Sequence, residues 1–213
     1  SYNVGPTRMA PVYVYNFNKN EKHNLQYMKW GLVPMWARKE AMIKQFDFKY
    51  FNARCESIES GKLWATVRNT KRCVVPVQGY YEWLHDAKTK EKIPYYVKRK
   101  DDKLIFLAGF YESVSYTSLS NNGKIVLNSF TIITQPAFKE LSWLHKRMPV
   151  ILKENSNDFD KWIDNKTNDT WSDSLKICLN SSRDIKLEWF KVSKNVGKMA
   201  NDGKYLIEPI KSR

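Results

Sequence analysis

The feature that most constrains this chain is a series of short β-branched and aromatic runs separated by polar, proline- or glycine-containing turns. Such runs are typical of strands. Strands are predicted at residues 12–17, 25–30, 72–78, 80–84, 94–99, 104–111, 129–134, 148–152 and 187–192. Charged or Asn- and Gly-rich connections, typical of hairpin loops, occur at residues 18–24, 86–92, 100–103 and 118–124. The pattern predicts a mainly antiparallel sheet.

Helical patterns are fewer and shorter. Apolar residues at helical spacing predict helices at residues 57–67, 136–144, 157–163 and 171–179. Pro136 stands at a first-turn position, where its missing N–H is tolerated. No internal repeat or long linker divides the 213 residues. We therefore predict one α+β domain over residues 1–213, built on a curved, mainly antiparallel β-sheet with short flanking helices.

Composition narrows the classes of function. A hydrophobic content of 42% with 14% aromatic residues excludes disorder as the main state. The chain has 36 Lys and Arg against 22 Asp and Glu, a net charge of +14. An aromatic domain this basic favours a polyanionic partner, and nucleic acid is the commonest one. The alternative is that the charge only keeps a soluble protein monomeric, and in either case it favours a monomer.

Cysteines and histidines indicate neither a disulfide framework nor a metal site. The three cysteines form no Cys-x-x-Cys pair, which favours a reducing, intracellular compartment. The three histidines are not spaced for zinc or iron, and no phosphate-binding loop or dinucleotide fingerprint occurs. No apolar run approaches the length of a transmembrane helix. We predict no metal, no cofactor and no membrane partner.

Three polar clusters interrupt segments that otherwise predict buried sheet, at residues 52–56, 79–83 and 145–149. Burying a carboxylate among Tyr and Trp side chains is costly unless something requires it there. Together the clusters contain an amide, a carboxylic acid and an imidazole, with two guanidinium groups alongside. These are the components of an acid–base site that handles an anionic ligand.

Glu82 and His145 are the acid–base candidates. On a strand, Glu82 shares a face with Tyr80, and it looks into a cleft if Tyr81 and Trp83 face the core. Partly apolar surroundings raise the pKa of a carboxyl group, which suits a general acid. His145 lies between a predicted helix and a predicted strand, a frequent place for catalytic side chains. The alternatives are a structural Glu–Arg pair and a solvated histidine in a turn.

Positive side chains next to these candidates predict contacts with phosphate. Asn52 and Arg54 share one face if residues 48–54 are extended. Arg54 and Arg147 then form a bidentate phosphate clamp, with Lys62 as a third contact. The alternative for each arginine taken singly is an ordinary surface position.

Trp36 follows a proline-containing turn, Pro34-Met35-Trp36. If it stands exposed there, it can act as a wedge that stacks against bases. The alternative is an ordinary core tryptophan.

The strongest signal is the order in which several motifs follow one another along the chain. They are Asn3-Val4-x-Pro6, Trp30-Gly31-Leu32-Val33-Pro34-x-Trp36, Asn52-Ala53-Arg54-x-Glu56, Arg72-Cys73-x-x-Pro76-x-x-Gly79-Tyr80-Tyr81-Glu82-Trp83, Pro94-Tyr95-Tyr96, Phe130-Thr131-Ile132-Ile133-Thr134, His145-x-Arg147-Met148-Pro149, Val192-Ser193-x-x-Val196-Gly197 and Asn201-Asp202-Gly203. In this order they resemble the SRAP (SOS response-associated peptidase) domain family over nearly the whole chain. The asparagine usage suggests a fungus or another eukaryotic microbe.

The resemblance implies a barrel-like SRAP fold and an enzyme that acts on abasic sites in single-stranded DNA and at single-strand/duplex junctions. Family members capture the ring-opened aldehyde on an N-terminal cysteine as a thiazolidine, a covalent DNA–protein crosslink, and also process their own N-terminus as peptidases. The implied place of action is the nucleus of a eukaryote or the cytoplasm of a bacterium.

The resemblance also implies a role for each matching residue. Asn52 would hold the cysteine and the sugar, and Glu82 would be the acid/base in ring opening and Schiff-base formation. His145 would polarise the sugar oxygen and assist reversal of the crosslink. Arg54 and Arg147 would clamp phosphates on either side of the lesion. Trp36 would wedge against the stacked duplex beyond it.

One element of the family pattern is missing. The N-terminal Met-Cys-Gly-Arg segment is not among these residues, which start at Ser1-Tyr2. We expect an N-terminally incomplete chain rather than lost chemistry. Cys55 is no substitute, because it alternates away from Asn52 and Arg54 and has no free amine. The rival hypotheses are a non-catalytic single-stranded nucleic-acid-binding module and a peptidase that only processes its own N-terminus.

Overall fold

The computed structural model describes residues 1–15, 23–120, 122–180 and 183–210. The strands in these ranges are β1 Met9–Tyr15, β2 His23–Trp30, β3 Asn52–Arg54, β4 Arg72–Val77, β5 Gly79–His85, β6 Lys92–Arg99, β7 Ile105–Thr117, β8 Lys124–Pro136, β9 Arg147–Pro149, β10 Ile151–Leu152 and β11 Leu187–Lys191. The α-helices are short: α1 Glu40–Lys44, α2 Lys62–Ala65, α3 Asn157–Ile163 and α4 Asp173–Cys178. Single turns of 3₁₀-helix occur at Cys55–Ser57, Lys194–Gly197 and Lys204–Ile207.

Five strands close into a barrel. They follow the order β7-β4-β1-β2-β8, and β8 pairs back along β7 from Gly109↔Ile132 to Thr117↔Lys124. Closure pairs each of these strands on both sides, so none of the five is an unprotected edge. Most pairs are antiparallel, and the parallel ones are β2–β8 and β3–β8. The predicted α+β class with a barrel-like, mainly antiparallel sheet is confirmed.

The end of β8 pairs with two short strands, β3 and β9. β3 pairs with residues 132–134 of β8 in parallel, and β9 pairs with residues 134–136 in antiparallel orientation. β7 and β9 therefore follow one another along one side of β8, while β2 and β3 follow one another along the other side. Polar residues on β3 and β9 are brought to a common place by the strand between them.

A second, three-stranded sheet has the order β11-β6-β5 and is antiparallel throughout. One of its faces packs on the barrel through the buried residues Tyr95 and Val97, with the partly buried Tyr80 and Trp189. The opposite face packs Tyr81 and Trp83 on a small separate core of Tyr96, Val192, Val196 and Leu206. The first sheet face thus closes over the barrel core.

Alternation of buried and less buried side chains explains why these segments form strands. In β1 the residues Ala10, Val12 and Val14 are buried in the barrel core, while their neighbours are more exposed. The outer face of the barrel is covered by the helices through a second core that includes Trp64, Phe110 and Trp162. The apolar residues of α2, α3 and α4 pack into this outer core.

Buried Arg72 joins the barrel to the helical layer. Its guanidinium group donates to the backbone carbonyls of Trp162 at 2.8 Å, Asn168 at 2.7 Å, Arg68 at 3.1 Å and Asp164 at 3.2 Å. Burial lowers the pKa of Arg72 to about 10. These bonds give donors to the buried Trp162 carbonyl and to three partly buried carbonyls, two of which follow α3.

The predicted helix at residues 136–144 is wrong. Pro136 is the last residue of β8 and pairs with Arg147, and the Ala137 N–H donates to the Lys146 carbonyl at 2.9 Å. The residues between them form turns that connect β8 to β9. Their apolar spacing serves another purpose, because Leu141 and Leu144 are buried in the barrel core.

The continuous helix predicted at residues 57–67 is also wrong, and the condition that residues 48–54 be extended is met only in part. Residues 57–67 form a 3₁₀ turn and then α2, because Gly61 is extended (φ −75°, ψ 121°) between them. Residues 48–54 are not extended throughout, since Phe48 and Tyr50 have positive φ values of 58° and 48°. Only the last three residues form a strand, and these include Asn52 and Arg54.

The predicted strand at residues 148–152 is split at Val150. The Val150 N–H donates to the Ile133 carbonyl at 2.8 Å, and its carbonyl accepts from the Ala108 N–H at 3.0 Å. Val150 therefore crosses from β8 to β7, which separates β9 from β10.

The hairpin loop predicted at residues 18–24 lies mostly outside the described residues, although β1 and β2 do pair. Residues 16–17 of the first predicted strand lie outside the described residues. β7 and β8 are longer than predicted, while the described parts of the remaining predicted strands and the helices α3 and α4 agree closely.

Candidate active site

Glu82 lies on β5 and points toward the barrel. Its neighbours Tyr81 and Trp83 pack on the small core behind the sheet, so Glu82 and Tyr80 share the opposite face. There they line a small recess, whose other walls are Val97, Leu141, Leu144, His145, Arg147 and Met148. The arrangement predicted from strand alternation is present: an acidic side chain in partly apolar surroundings.

Glu82 and His145 face each other in this recess. The Glu82 Oε2 atom lies 3.6 Å from His145 Nδ1, and the Trp83 N–H donates to Glu82 Oε1 at 3.2 Å. Burial raises the pKa of Glu82, while the His145 charge and the Trp83 N–H act in the opposite direction. Burial and the nearby Glu82 charge also raise the pKa of Tyr80 well above its usual value. The geometry can store a proton on a carboxyl group beside an imidazole.

The His145 ring is held by backbone on one side. The Arg147 N–H lies 3.2 Å from Nδ1 and the Arg147 carbonyl lies 3.1 Å from the same atom. The backbone N–H of His145 donates to the Leu141 carbonyl at 3.2 Å, which fixes the backbone at His145 to the turn before β9. The side chain of His145 is 40% exposed, so the recess opens to solvent at the imidazole.

Arg147 forms an ion pair with Glu56, which is not among the predicted site residues. Nη1 contacts Glu56 Oε1 at 2.6 Å, and Nη2 contacts Glu56 Oε2 at 3.0 Å. Nη2 also donates to the Thr134 carbonyl at 2.5 Å. The Arg147 guanidinium lowers the pKa of Glu56 to about 2. Glu56 belonged to a polar cluster in the sequence, but its pairing depends on the 3₁₀ turn that follows β3.

Asn52 and Arg54 project from β3 onto the same side as Glu82. The intervening Ala53 is buried in the outer core, so its two neighbours face the other way, as do Ile132 of the barrel core and Thr134. Both polar residues are exposed. β3 and β9 lie on opposite sides of β8, which places them about 10 Å apart from strand spacing.

Trp36 lies in the loop that follows β2, with 48% of its surface exposed. Its loop is fixed by the Leu32 N–H, which donates to the Tyr50 carbonyl at 3.2 Å, and by the Val33 N–H, which donates to Ser129 Oγ at 2.9 Å. Leu32 and Val33 are fully buried. Trp36 is therefore an exposed tryptophan and not a core one.

Lys62 is not joined to this group by any contact among the described residues. It begins α2, whose Trp64 packs into the outer core on the far face of the sheet. Cys55 is half-buried, and burial with the adjacent Glu56 charge raises the pKa of its thiol. Cys73 and Cys178 are buried. Within the described ranges no group of three or more His, Cys, Asp or Glu side chains could hold a metal ion.

A sequence profile of the family described as "SOS response associated peptidase (SRAP)" matches residues 1–199. The chain belongs to the SRAP family. The resemblance noted in the order of the motifs is therefore confirmed, and it extends over almost all of the chain.

Several relatives carry the name abasic site processing protein. The chain is 37% identical over 213 residues to "Abasic site processing protein YMR114C" of Saccharomyces cerevisiae, covering 99% of this chain and 53% of the relative. It is 32% identical over 209 residues to "Abasic site processing protein YoqW" of Bacillus subtilis, covering 98% and 85%. It is 31% identical over 187 residues to "Abasic site processing protein HMCES" of Xenopus tropicalis, covering 77% and 53%. The chain thus spans about half the length of the yeast and frog relatives.

Solved structures share the fold of this SRAP domain. A crystal structure of a protein from Bacteroides thetaiotaomicron matches with a TM-score of 0.76 at 23% identity, covering 96% of this chain and 82% of that one. A phage-related protein from Bordetella bronchiseptica matches with a TM-score of 0.65 at 23% identity, covering 91% and 82%. None of the helices in the described parts of the chain has the length and apolar character needed to cross a bilayer.

Proposed function

We propose that this SRAP domain binds single-stranded DNA and processes abasic sites in it, with Glu82 and His145 as the proton-transfer pair. The observation that carries the proposal is the 3.6 Å approach of Glu82 Oε2 to His145 Nδ1 in a recess that opens to solvent. The names of the yeast, Bacillus and frog relatives support the choice of substrate. The net charge of +14 supports a polyanionic partner.

The chemistry of an abasic sugar suits this pair. Opening of the cyclic hemiacetal removes a proton from the C1 hydroxyl and adds one to the ring oxygen, which leaves a C1 aldehyde. The raised pKa of Glu82 keeps a transferable proton on the carboxyl at a pH where an ordinary glutamate has lost it. His145 is proposed to polarise the sugar oxygen, which its 40% exposed side chain can reach from solvent. Asn52 is proposed to orient the sugar.

Covalent capture of the aldehyde needs an amine and a thiol on one residue. The amine attacks C1 and water leaves to give a Schiff base, and the thiol then adds to the C=N carbon while the nitrogen takes the proton. Cys55, Cys73 and Cys178 are internal, so their nitrogens are amides and they cannot close a thiazolidine. We propose capture for a polypeptide in which an N-terminal cysteine reaches the Glu82 recess.

The DNA path is proposed to follow the exposed side of β3 and β9. Arg54 has no ion-pair partner among the described residues and is the first candidate for a phosphate contact. Arg147 can bind a phosphate with both of its Nη atoms only if the Glu56 carboxylate moves away from them. Trp36 is proposed as the wedge at a junction with duplex DNA, and Lys62 as a more distant phosphate contact. We propose action as a monomer, in the nucleus of a eukaryote or the cytoplasm of a bacterium.

The test is incubation of the native full-length protein with an oligonucleotide that contains one abasic site, read by intact mass and denaturing gel. We expect a covalent adduct whose rate of formation falls at least tenfold in Glu82→Gln. Glu91→Gln, a change at an exposed glutamate beyond β5, serves as the matched control and is expected to react normally.

Each rival hypothesis predicts a different result in this experiment. A non-catalytic module binds the oligonucleotide without any adduct, and Glu82→Gln then changes nothing. A peptidase that only processes its own N-terminus matures normally and ignores the abasic site. Equal adduct rates for the wild type and Glu82→Gln exclude Glu82 as the acid/base.

A further inference from the structure

A second exposed tryptophan stands beside the recess. Trp143 is 45% exposed and lies in the turn between β8 and β9, two residues before His145. Two residues of backbone span at most about 7 Å. The neighbouring Leu141 and Leu144 point into the barrel core, which directs Trp143 outward.

Two aromatic side chains hold the Trp143 indole in place. The ring of Tyr95 meets it edge-to-face with centroids 5.2 Å apart, and Trp189 lies behind at 6.3 Å. Tyr95 is buried and pairs in register with Glu82 across β5 and β6. These contacts hold the indole in a fixed position relative to Glu82, which pairs with Tyr95, and relative to His145, which follows in the same turn.

The charges around this indole are mostly positive. Lys191, which pairs in register with Tyr95, is exposed, as are Lys139 and Lys146 on the turn. Glu140 is the acidic residue of that turn. An exposed, rigid indole among lysines matches the combination that binds unpaired nucleic acid: a face for the base and cations for the backbone.

We infer that Trp143, supported by Tyr95 and Trp189, forms a stacking platform for an unpaired base next to the abasic nucleotide that is proposed to bind at Glu82 and His145. This inference rests on the proposed function for the identity of the ligand. Tyr95 belongs to β6 and Trp189 to β11, so the platform lies on the β6–β11 side of the recess. Trp143 positions the strand and takes no part in the chemistry.

The test uses intact single-stranded oligonucleotides without an abasic site, each carrying one 2-aminopurine at a different position. Stacking on an indole quenches 2-aminopurine emission, so the wild type is expected to quench strongly at one register. Trp143→Leu keeps the apolar contact with Tyr95 and Trp189 but removes the stacking face. We expect this variant to lose the quenching and to bind roughly 5- to 100-fold more weakly.

Two further variants make the result specific. Trp143→Phe restores an aromatic face and is expected to recover most of the quenching. Tyr27→Ala removes an aromatic residue that is 71% exposed on β2, and it is expected to behave like the wild type. Unchanged quenching and affinity in Trp143→Leu overturn the platform. Adduct formation with abasic DNA tests the proposed function separately. If the wild type quenches 2-aminopurine but forms no adduct, the stacking platform stands and the proposed function is wrong. A wild type that binds no single strand overturns both.

Discussion

Arg147 holds the carboxylate of Glu56 with both ends of its guanidinium group, Nη1 to Oε1 at 2.6 Å and Nη2 to Oε2 at 3.0 Å. The pair occupies the bidentate geometry in which a phosphate would be bound. About half of the Glu56 side chain is exposed, so a DNA phosphate can compete for the arginine. Glu56 is therefore an internal anion at a position where the proposed substrate also places one.

Replacement of Glu56 by Gln is expected to tighten binding to intact single strands at low salt. The change removes the competing negative charge and frees the Arg147 fork for one more phosphate. The slope of log K against log salt is expected to steepen by about 0.7, the value for one added contact on a single strand. Fluorescence anisotropy over a salt series measures both quantities. Weaker binding would instead mean that Glu56 orients Arg147 for the DNA.

Replacement of Arg54 by Glu is expected to weaken single-strand binding and to reduce the salt slope by about 0.7 or more, because a phosphate contact is lost and a repulsive charge is added. The same anisotropy series measures it. Lys166→Glu makes the same charge change at an exposed residue that follows α3 on the outer layer, and it serves as the control. Equal losses in both variants would mean that only net charge matters and that Arg54 has no specific contact.

Replacement of Trp36 by Ala is expected to reduce binding to a single-strand/duplex junction more than binding to a plain single strand. The exposed indole can stack on the terminal base pair only where one exists. Loss of one stacked base corresponds to about 1–3 kcal/mol at the junction. Competition between the two oligonucleotides measures the difference. Parallel losses on both would show that Trp36 contacts the single strand alone.

Replacement of Glu82 by Gln is expected to raise the melting temperature at neutral pH. Burial raises the folded-state pKa of Glu82 above the ordinary value of 4.5, so folding favours its protonated form. The contribution of Glu82 to stability is fully present below pH 4.5 and is lost as pH rises through the folded pKa. Glutamine keeps the neutral form at every pH, so the gain in melting temperature is expected to disappear near pH 4. A gain that is independent of pH contradicts this assignment.

Replacement of Arg72 by Met is expected to lower the free energy of unfolding by at least about 2 kcal/mol. Methionine fills part of the volume but removes the donor to the buried Trp162 carbonyl and the donor to the Asn168 carbonyl. Urea denaturation measures the loss. Arg38→Met, at an exposed position, is expected to change stability by less than about 0.5 kcal/mol.

Local patterns in the sequence were enough to predict much of the fold. Alternation placed Glu82 opposite Tyr81 and Trp83, and the β-branched runs marked nearly every strand, because a half-buried sheet imposes a period of two on its sequence. The order of the polar motifs was enough for the family. Residues 136–144 were wrongly predicted to form a helix, because Leu141 and Leu144 have helical spacing. In the structure they fill the end of the barrel, and closure of the barrel depends on residues that are far apart in the sequence.

Tertiary structure alone decided which polar side chains meet. Glu56 and Arg147 are 91 residues apart, and Tyr95 and Trp143 meet only because the second sheet folds onto the turn before His145. Such contacts depend on how β3, β8 and β9 align, and the free energy that aligns them comes from apolar burial elsewhere in the chain. The identities of the functional side chains can therefore be read from the sequence, whereas their partners are set by the packing of the whole barrel.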